Sequence, residues 1–291
     1  MSVVEKAIRK LQEGKQAAAA EAPPSPRHTA PDASPESAPA IVLDRGVLRS
    51  AGLLPPEEDM NALAHQYREI KHPLVARAIG RGVARLAKGH LIMIASAMTG
   101  EGKSFTALNL ALSLAREKDI RVLLVDADVA KPQLSHVLGL SEMPGLLDAL
   151  HDVDMDVETL IRTTDVPSLS FLPAGRSSPE EATELLASSR MARLGMTLGE
   201  NAPERIVVFD SPPLLQTTES SALARVVGQI VVVVRAEWTP QPVLLDALKI
   251  LEGHPSVSLV LNQSVHTVTS SYYYHYGNGS DRTQRPQAGA V

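Results

Sequence analysis

Ala97-Met98-Thr99-Gly100-Glu101-Gly102-Lys103-Ser104 follows the apolar run Leu91-Ile92-Met93-Ile94-Ala95 and precedes a helical stretch over residues 105–115. Strand, glycine-rich turn and helix in that order form the layout of a phosphate-binding loop. In such a loop successive backbone N–H groups surround the phosphates, and the helix start adds a dipole that favours anions. The candidate nucleotide contacts are therefore Thr99, Gly100, Glu101, Gly102, Lys103, Ser104 and Phe105. Lys103 is placed to reach the β- and γ-phosphates of ATP, and the Ser104 hydroxyl to hold Mg²⁺. Ala97 stands where the usual pattern has its first glycine.

Two further strand ends carry acid. Val122-Leu123-Leu124-Val125 runs into Asp126-Ala127-Asp128, and Ile206-Val207-Val208-Phe209 runs into Asp210-Ser211-Pro212-Pro213. A buried parallel strand reads as such an aliphatic run and delivers its last residues to the carboxyl edge of the sheet. An isolated Asp after a strand is more often a cap for the next turn or helix. With a phosphate loop upstream, Asp126, Asp128 and Asp210 read instead as a set around a phosphate-bound metal.

Strand candidates at 91–95, 122–125, 169–172, 206–209, 230–234 and 258–261 alternate with helical stretches. That alternation predicts an α/β fold, a mostly parallel sheet with helices on both faces, as in the P-loop NTPases. The chain has 291 residues, 44% of them hydrophobic and 3% aromatic, so it can bury one substantial core built from aliphatics. It has no cysteine, which excludes disulfides and thiolate-bound metals. A net charge of -5 gives no reason to expect a nucleic-acid partner. No apolar run is long enough to cross a bilayer and no signal-peptide core is evident, so the expected location is cytoplasmic.

Four stretches are expected. Residues 1–14 form a short amphipathic helix, with Val4, Ala7, Ile8 and Leu11 on one face and Ser2 and Glu5 as a capping box. That helix is either a frayed terminus or a docking element. Residues 15–58 are a disordered Pro/Ala-rich linker, 59–266 the nucleotide-binding domain, and 267–291 a flexible tail. A helix is expected near residues 61–71.

The three motifs resemble the Walker A, Walker A′ and Walker B motifs of the bacterial tyrosine kinases, the BY-kinases of capsule and exopolysaccharide synthesis. Lys131-Pro132, residues 145–150, Leu172-Pro173-Ala174-Gly175 and Glu184-Leu185-Leu186 match further. The tail sequence Tyr272-Tyr273-Tyr274-His275-Tyr276 is similar to the family's C-terminal tyrosine cluster, and residues 1–7 resemble the autokinases of exosortase-linked systems. The resemblance implies an ATP- and Mg²⁺-dependent protein-tyrosine autokinase that phosphorylates Tyr272, Tyr273, Tyr274 or Tyr276 in trans. It implies Asp126 as the group that orients and deprotonates the tyrosine, with Lys103 and Asp128 also catalytic. Ser104, Asp128 and Asp210 would hold the metal, and Asn262 would read the adenine edge; a turn-forming Asn is the simpler reading of that residue. The partners implied are a membrane polysaccharide co-polymerase that acts as activator, a cognate tyrosine phosphatase and further copies of the chain. Such a partner would hold the protein at the inner face of the membrane.

Two departures stand out. The family's arginine two residues after the second Asp of Walker A′ is Ala130 here, with Lys131 following. The oligomerisation motif Glu-x-x-Arg-x-x-Arg reads His65-Gln66-Tyr67-Arg68-Glu69-Ile70-Lys71. Lysine cannot reproduce the arginine fork, which leaves Arg68 and Lys71 as a solvated helix face. The rival reading is a switch ATPase of the septum-positioning or partitioning type. Those proteins carry a signature lysine at the place of Met98 and lack a tyrosine-rich tail.

Overall fold

The computed structural model describes residues 40–176, 179–200 and 204–264. The expected helix at 1–14 and the tail tyrosines Tyr272, Tyr273, Tyr274 and Tyr276 lie outside the described residues.

Helices α1 (Arg45–Ser50) and α2 (Met60–Ile79) precede strand β1 (Leu91–Ser96), and α3 (Lys103–Leu114) follows the glycine-rich turn. Then come β2 (Arg121–Asp126), α4 (Gln133–Val137), α5 (Leu146–His151), a 3₁₀ turn at Val157–Leu160, β3 (Arg162–Thr163) and β4 (Leu169–Leu172). Helices α6 (Pro179–Ala187) and α7 (Ser189–Glu200) lead to β5 (Arg205–Asp210) and α8 (Thr218–Ala224). The chain continues through β6 (Gln229–Arg235), α9 (Gln241–Ile250) and β7 (Val257–Asn262).

The seven strands are ordered β3-β4-β2-β5-β1-β6-β7. All pairs are parallel except β3 with β4. The expected fold class holds, and each expected strand is present. The short β3 is an addition that the sequence pattern did not signal.

Burial on both sides explains why the central strands read as unbroken aliphatic runs. Successive side chains alternate between faces, so Leu91, Met93 and Ala95 enter one hydrophobic layer while Ile92 and Ile94 enter the other. Helices cover both layers. The first contains residues of α5, α6, α7 and α9, and the second contains residues of α2 and α3. The strand order changes direction around β1, which puts the loops after β1, β2 and β5 at one carboxyl edge, where ligands of open α/β sheets bind.

The linker expected through residue 58 ends earlier. From residue 41 onward the chain is a strap on the domain. Ile41 makes a parallel bridge to Thr164, and the Leu43 N–H donates to Asp165 Oδ1 at 3.0 Å. Asp44 caps α1 by accepting from the Gly46 and Val47 N–H groups at 2.8 and 3.0 Å. Leu43, Leu48, Leu53 and Leu54 are buried in the second layer. Those four leucines supply the apolar burial that holds the strap on the domain.

Helix α2 also runs past its expected end, through Pro73 to Ile79. Leu74, Val75 and Ala78 bury on the domain, and that burial outweighs the hydrogen bond Pro73 removes. Lys71 is not on a solvated face. It is 8% exposed, and its Nζ donates to the Ser113 carbonyl at 2.9 Å and pairs with Glu117 at 2.7 Å. Arg68 is exposed, as expected.

Candidate nucleotide site

The glycine-rich turn bends through two left-handed residues, Gly100 at φ +87° and Gly102 at φ +98°. At residue 102 a Cβ would lie 2.0 Å from Asn262 Nδ2, so only glycine fits. Glu101 points inward with no exposed surface. One of its carboxylate oxygens accepts the Met98 N–H at 2.6 Å, and the other accepts the Thr239 hydroxyl. Its backbone carbonyl accepts from Asn262 Nδ2 at 2.9 Å. Helix α3 begins at Lys103, whose side chain is mostly buried, and Ser104 follows.

Asp126 and Asp210 end adjacent strands and have no exposed surface. Asp126 Oδ2 accepts the N–H and the hydroxyl of Ser135, both at 2.8 Å, while Oδ1 has no hydrogen-bond partner. Burial pushes the Asp126 carboxyl up to about 7, against the Ser135 bonds and aided by the charge of Asp128. Both oxygens of Asp210 are buried without a partner of normal hydrogen-bond geometry. Burial and then the Asp126 charge raise its pKa well above the carboxylate range, and the nearby Ser104 hydroxyl and Lys103 oppose that shift. Asp128 is raised too, by burial, with Lys103 opposing most strongly. Its Oδ1 accepts the Lys131 N–H at 3.2 Å.

A pocket of about 170 Å³ gathers Thr99, Gly100, Gly102, Lys103, Ser104 and Phe105 from the turn and Asp128, Lys131 and Gln133 from the loop after β2. Lys131 lines it although its position is shifted by one from the family's arginine. Gly52 and Leu53 close the same pocket from the strap. Asn109 of α3 fixes that wall by donating to the Leu53 carbonyl at 2.9 Å and to the Phe105 carbonyl at 2.7 Å.

Of the residues the sequence picked out, Thr99, Gly100, Gly102, Lys103, Ser104, Phe105 and Asp128 line this pocket, and Asp126 and Asp210 end the adjacent strands. Glu101 does not line it, because its buried carboxylate turns to Met98 and Thr239. Asn262 does not line it. Its amide is on the Glu101 carbonyl. Sequence reasoning missed Ser135, Thr239, Gly52 and Leu53, and also Glu219, a buried acid of α8 that accepts from Thr183 at 2.5 Å and whose charge raises Asp128. Thr239 meets Glu101 across 138 positions of chain, and no local pattern signals a pairing of that length.

The oxygens here fit a hard cation. Both Asp210 oxygens are buried without a partner of normal hydrogen-bond geometry, with the Ser104 hydroxyl nearby, and Mg²⁺ takes such oxygen ligands together with substrate phosphates. Asp126 Oδ1 is also buried and unpartnered. Among the described residues no cluster of three or more His, Asp or Glu side chains could hold a metal by itself. Among the described residues, no helix is long and apolar enough to cross a membrane.

The profile of the CobQ/CobB/MinD/ParA nucleotide binding domain matches residues 92–251, more than half of the chain. The putative tyrosine-protein kinase EpsB of Ralstonia nicotianae is 34% identical over 66% of this chain and 24% of its own length. The putative tyrosine-protein kinase CapB of Staphylococcus aureus is 30% identical over 64% of this chain and 80% of its own length. Among solved structures, the VpsO kinase domain is similar at 27% identity and a TM-score of 0.58, over 72% of this chain and all of that one. The chain spans only 20% to 25% of the length of EpsB and comparable long relatives.

Proposed function

Because the chain belongs to the bacterial tyrosine-kinase family, within the CobQ/CobB/MinD/ParA nucleotide-binding group, we propose that it is an ATP-dependent protein-tyrosine autokinase. Its acceptors are Tyr272, Tyr273, Tyr274 and Tyr276 of another copy, and its cellular role is control of exopolysaccharide synthesis or export. The observation that carries this reading is the meeting of Lys103 with Asp126, Asp128 and Asp210 at one carboxyl edge, where three carboxylate oxygens are buried and unpartnered.

In this reading the turn N–H groups and the start of α3 seat the triphosphate, and Lys103 balances the charge of the γ-phosphoryl group. Ser104, Asp128 and Asp210 would hold Mg²⁺, which when bound supplies positive charge to the β- and γ-phosphate oxygens. Asp126 receives the phenol proton on Oδ1 while Ser135 fixes Oδ2. A carboxyl lifted to about 7 is matched to that transfer at neutral pH. The phenol oxygen forms the new P–O bond, the γ-phosphorus parts from the bridging oxygen, and ADP leaves.

The proposed partner is a membrane polysaccharide co-polymerase acting as activator, with a cognate tyrosine phosphatase reversing the modification. The proposed domain limits are 59–266 for the kinase and 267–291 for the acceptor tail, with the strap at 41–58 added to the kinase.

The test is incubation of the purified chain with MgATP and mass spectrometry of the tail, beside Lys103→Met. Phosphate on the tail tyrosines of the parent and none on the variant is expected. ATP hydrolysis with no phosphotyrosine, even with the co-polymerase's cytoplasmic segment present, would move the assignment to a switch ATPase.

A further inference from the structure

Two side chains, one from the loop after β6 and one from the end of β7, hold the phosphate turn, and neither lines the pocket. The Thr239 hydroxyl, in the loop between β6 and α9, donates to the Glu101 carboxylate and accepts the Arg235 N–H at 3.1 Å. The Asn262 amide, at the end of β7, donates to the Glu101 carbonyl at 2.9 Å. The two supports are braced on each other. Arg235 and Asn262 are register partners, and the Ala236 N–H donates to the Asn262 carbonyl at 2.9 Å. Between them they fix both the side chain and the main chain of the residue separating the two left-handed glycines.

We infer that Thr239 and Asn262 are positioning residues that act through Glu101 to hold the phosphate turn in its ligand-ready shape. Asn262 accordingly serves the phosphates through the turn. A turn with two left-handed glycines has many conformations open to it when unsupported, and each support lost lowers the fraction of molecules able to bind. The effect falls on the phosphates and is blind to the base. The inference rests on the nucleotide site proposed above.

The experiment is calorimetric titration of the full chain with MgATP and, separately, with magnesium tripolyphosphate, which has no base. Thr239→Val keeps the side-chain shape and removes the hydroxyl, Thr239→Ser restores it, and Asn262→Ala removes the amide. Loss of one hydrogen bond of this kind is expected to raise Kd by about tenfold. Thr239→Val and Asn262→Ala should weaken both ligands by the same factor, Thr239→Ser should return to within about twofold of the parent, and thermal melts should confirm that all three are folded. Unchanged affinity in Thr239→Val would overturn the inference, as would an Asn262→Ala protein that loses ATP affinity and keeps that for tripolyphosphate, the mark of a base reader. A parent that binds neither ligand would sink the nucleotide site itself, and the inference with it.

Discussion

Asp126 and Asp210 are register partners on the parallel strands β2 and β5, so their carboxylates leave the sheet at the same level, both without exposed surface. The charge of Asp126 raises the cost of ionising Asp210. Such a pair is held in place by the surrounding fold, and under the proposed function a phosphate-bound cation would relieve its desolvation.

That pairing sets a pH dependence for the ligand-free protein. The folded pKa of Asp126, about 7, lies above its ordinary 3.8. The folded state therefore binds the proton more tightly, and this group's contribution to stability, full below about pH 4, is lost as pH rises to about 7. Asp126→Asn should unfold at higher urea than the parent at pH 7.5, by roughly 2 kcal/mol, with the gap closing near pH 4. A gap that stays constant with pH would contradict the buried charge as its cause.

Lys103→Met removes a buried cation whose charge acts on both Asp128 and Asp210. Phosphoryl transfer should fall by at least about a hundredfold, as for loss of a group that stabilises developing charge. Radiolabel transfer from ATP to the tail, compared at equal protein, checks this. Residual transfer within about threefold of the parent would be incompatible with the role given to Lys103.

Lys71→Ala should destabilise the domain by about 1–2 kcal/mol, since it strands the Ser113 carbonyl and the Glu117 carboxylate that Lys71 serves. Urea titration reads the effect. A neutral result would return Lys71 to the solvated face that the motif alone suggested.

Leu48→Ala tests the strap. Leu48 is 1% exposed in the second layer, and truncation should cost about 2–4 kcal/mol. Gly52 and Leu53 share the strap with it and wall the pocket, so affinity for MgATP should weaken as well. Lost stability with full ATP affinity would separate the strap from the site.

The parts of the fold that could be read from the residues are those carried by local chemistry. Val122 to Val125 and Ile206 to Phe209 announce strands because burial on both faces demands aliphatics at every position. The turn announces itself because its two glycines and Lys103 have no packing explanation at that spacing. The strap was missed because Pro55 and Pro56 and the Ala/Pro-rich stretch before it mask four leucines whose spacing matches neither a helix nor a strand. Lys71 was misread for a similar reason. A helical pattern shows which residues share a face, and does not show that Ser113 and Glu117 of another element lie opposite.

The sequence by itself determined the order of the six parallel strands, the phosphate turn and the identity of the acids that follow the strands, since each is written in consecutive residues with their own preferences. Only the tertiary structure decided what those acids and that turn are next to. Ser135 meets Asp126, Thr239 and Asn262 meet Glu101, and Gly52 meets the pocket through contacts between residues 9 to 161 positions apart where hydrogen bonds record them. The physical reason is that hydrogen bonding, desolvation and charge coupling depend on distance in space and on the water excluded from it, neither of which the linear order of residues specifies.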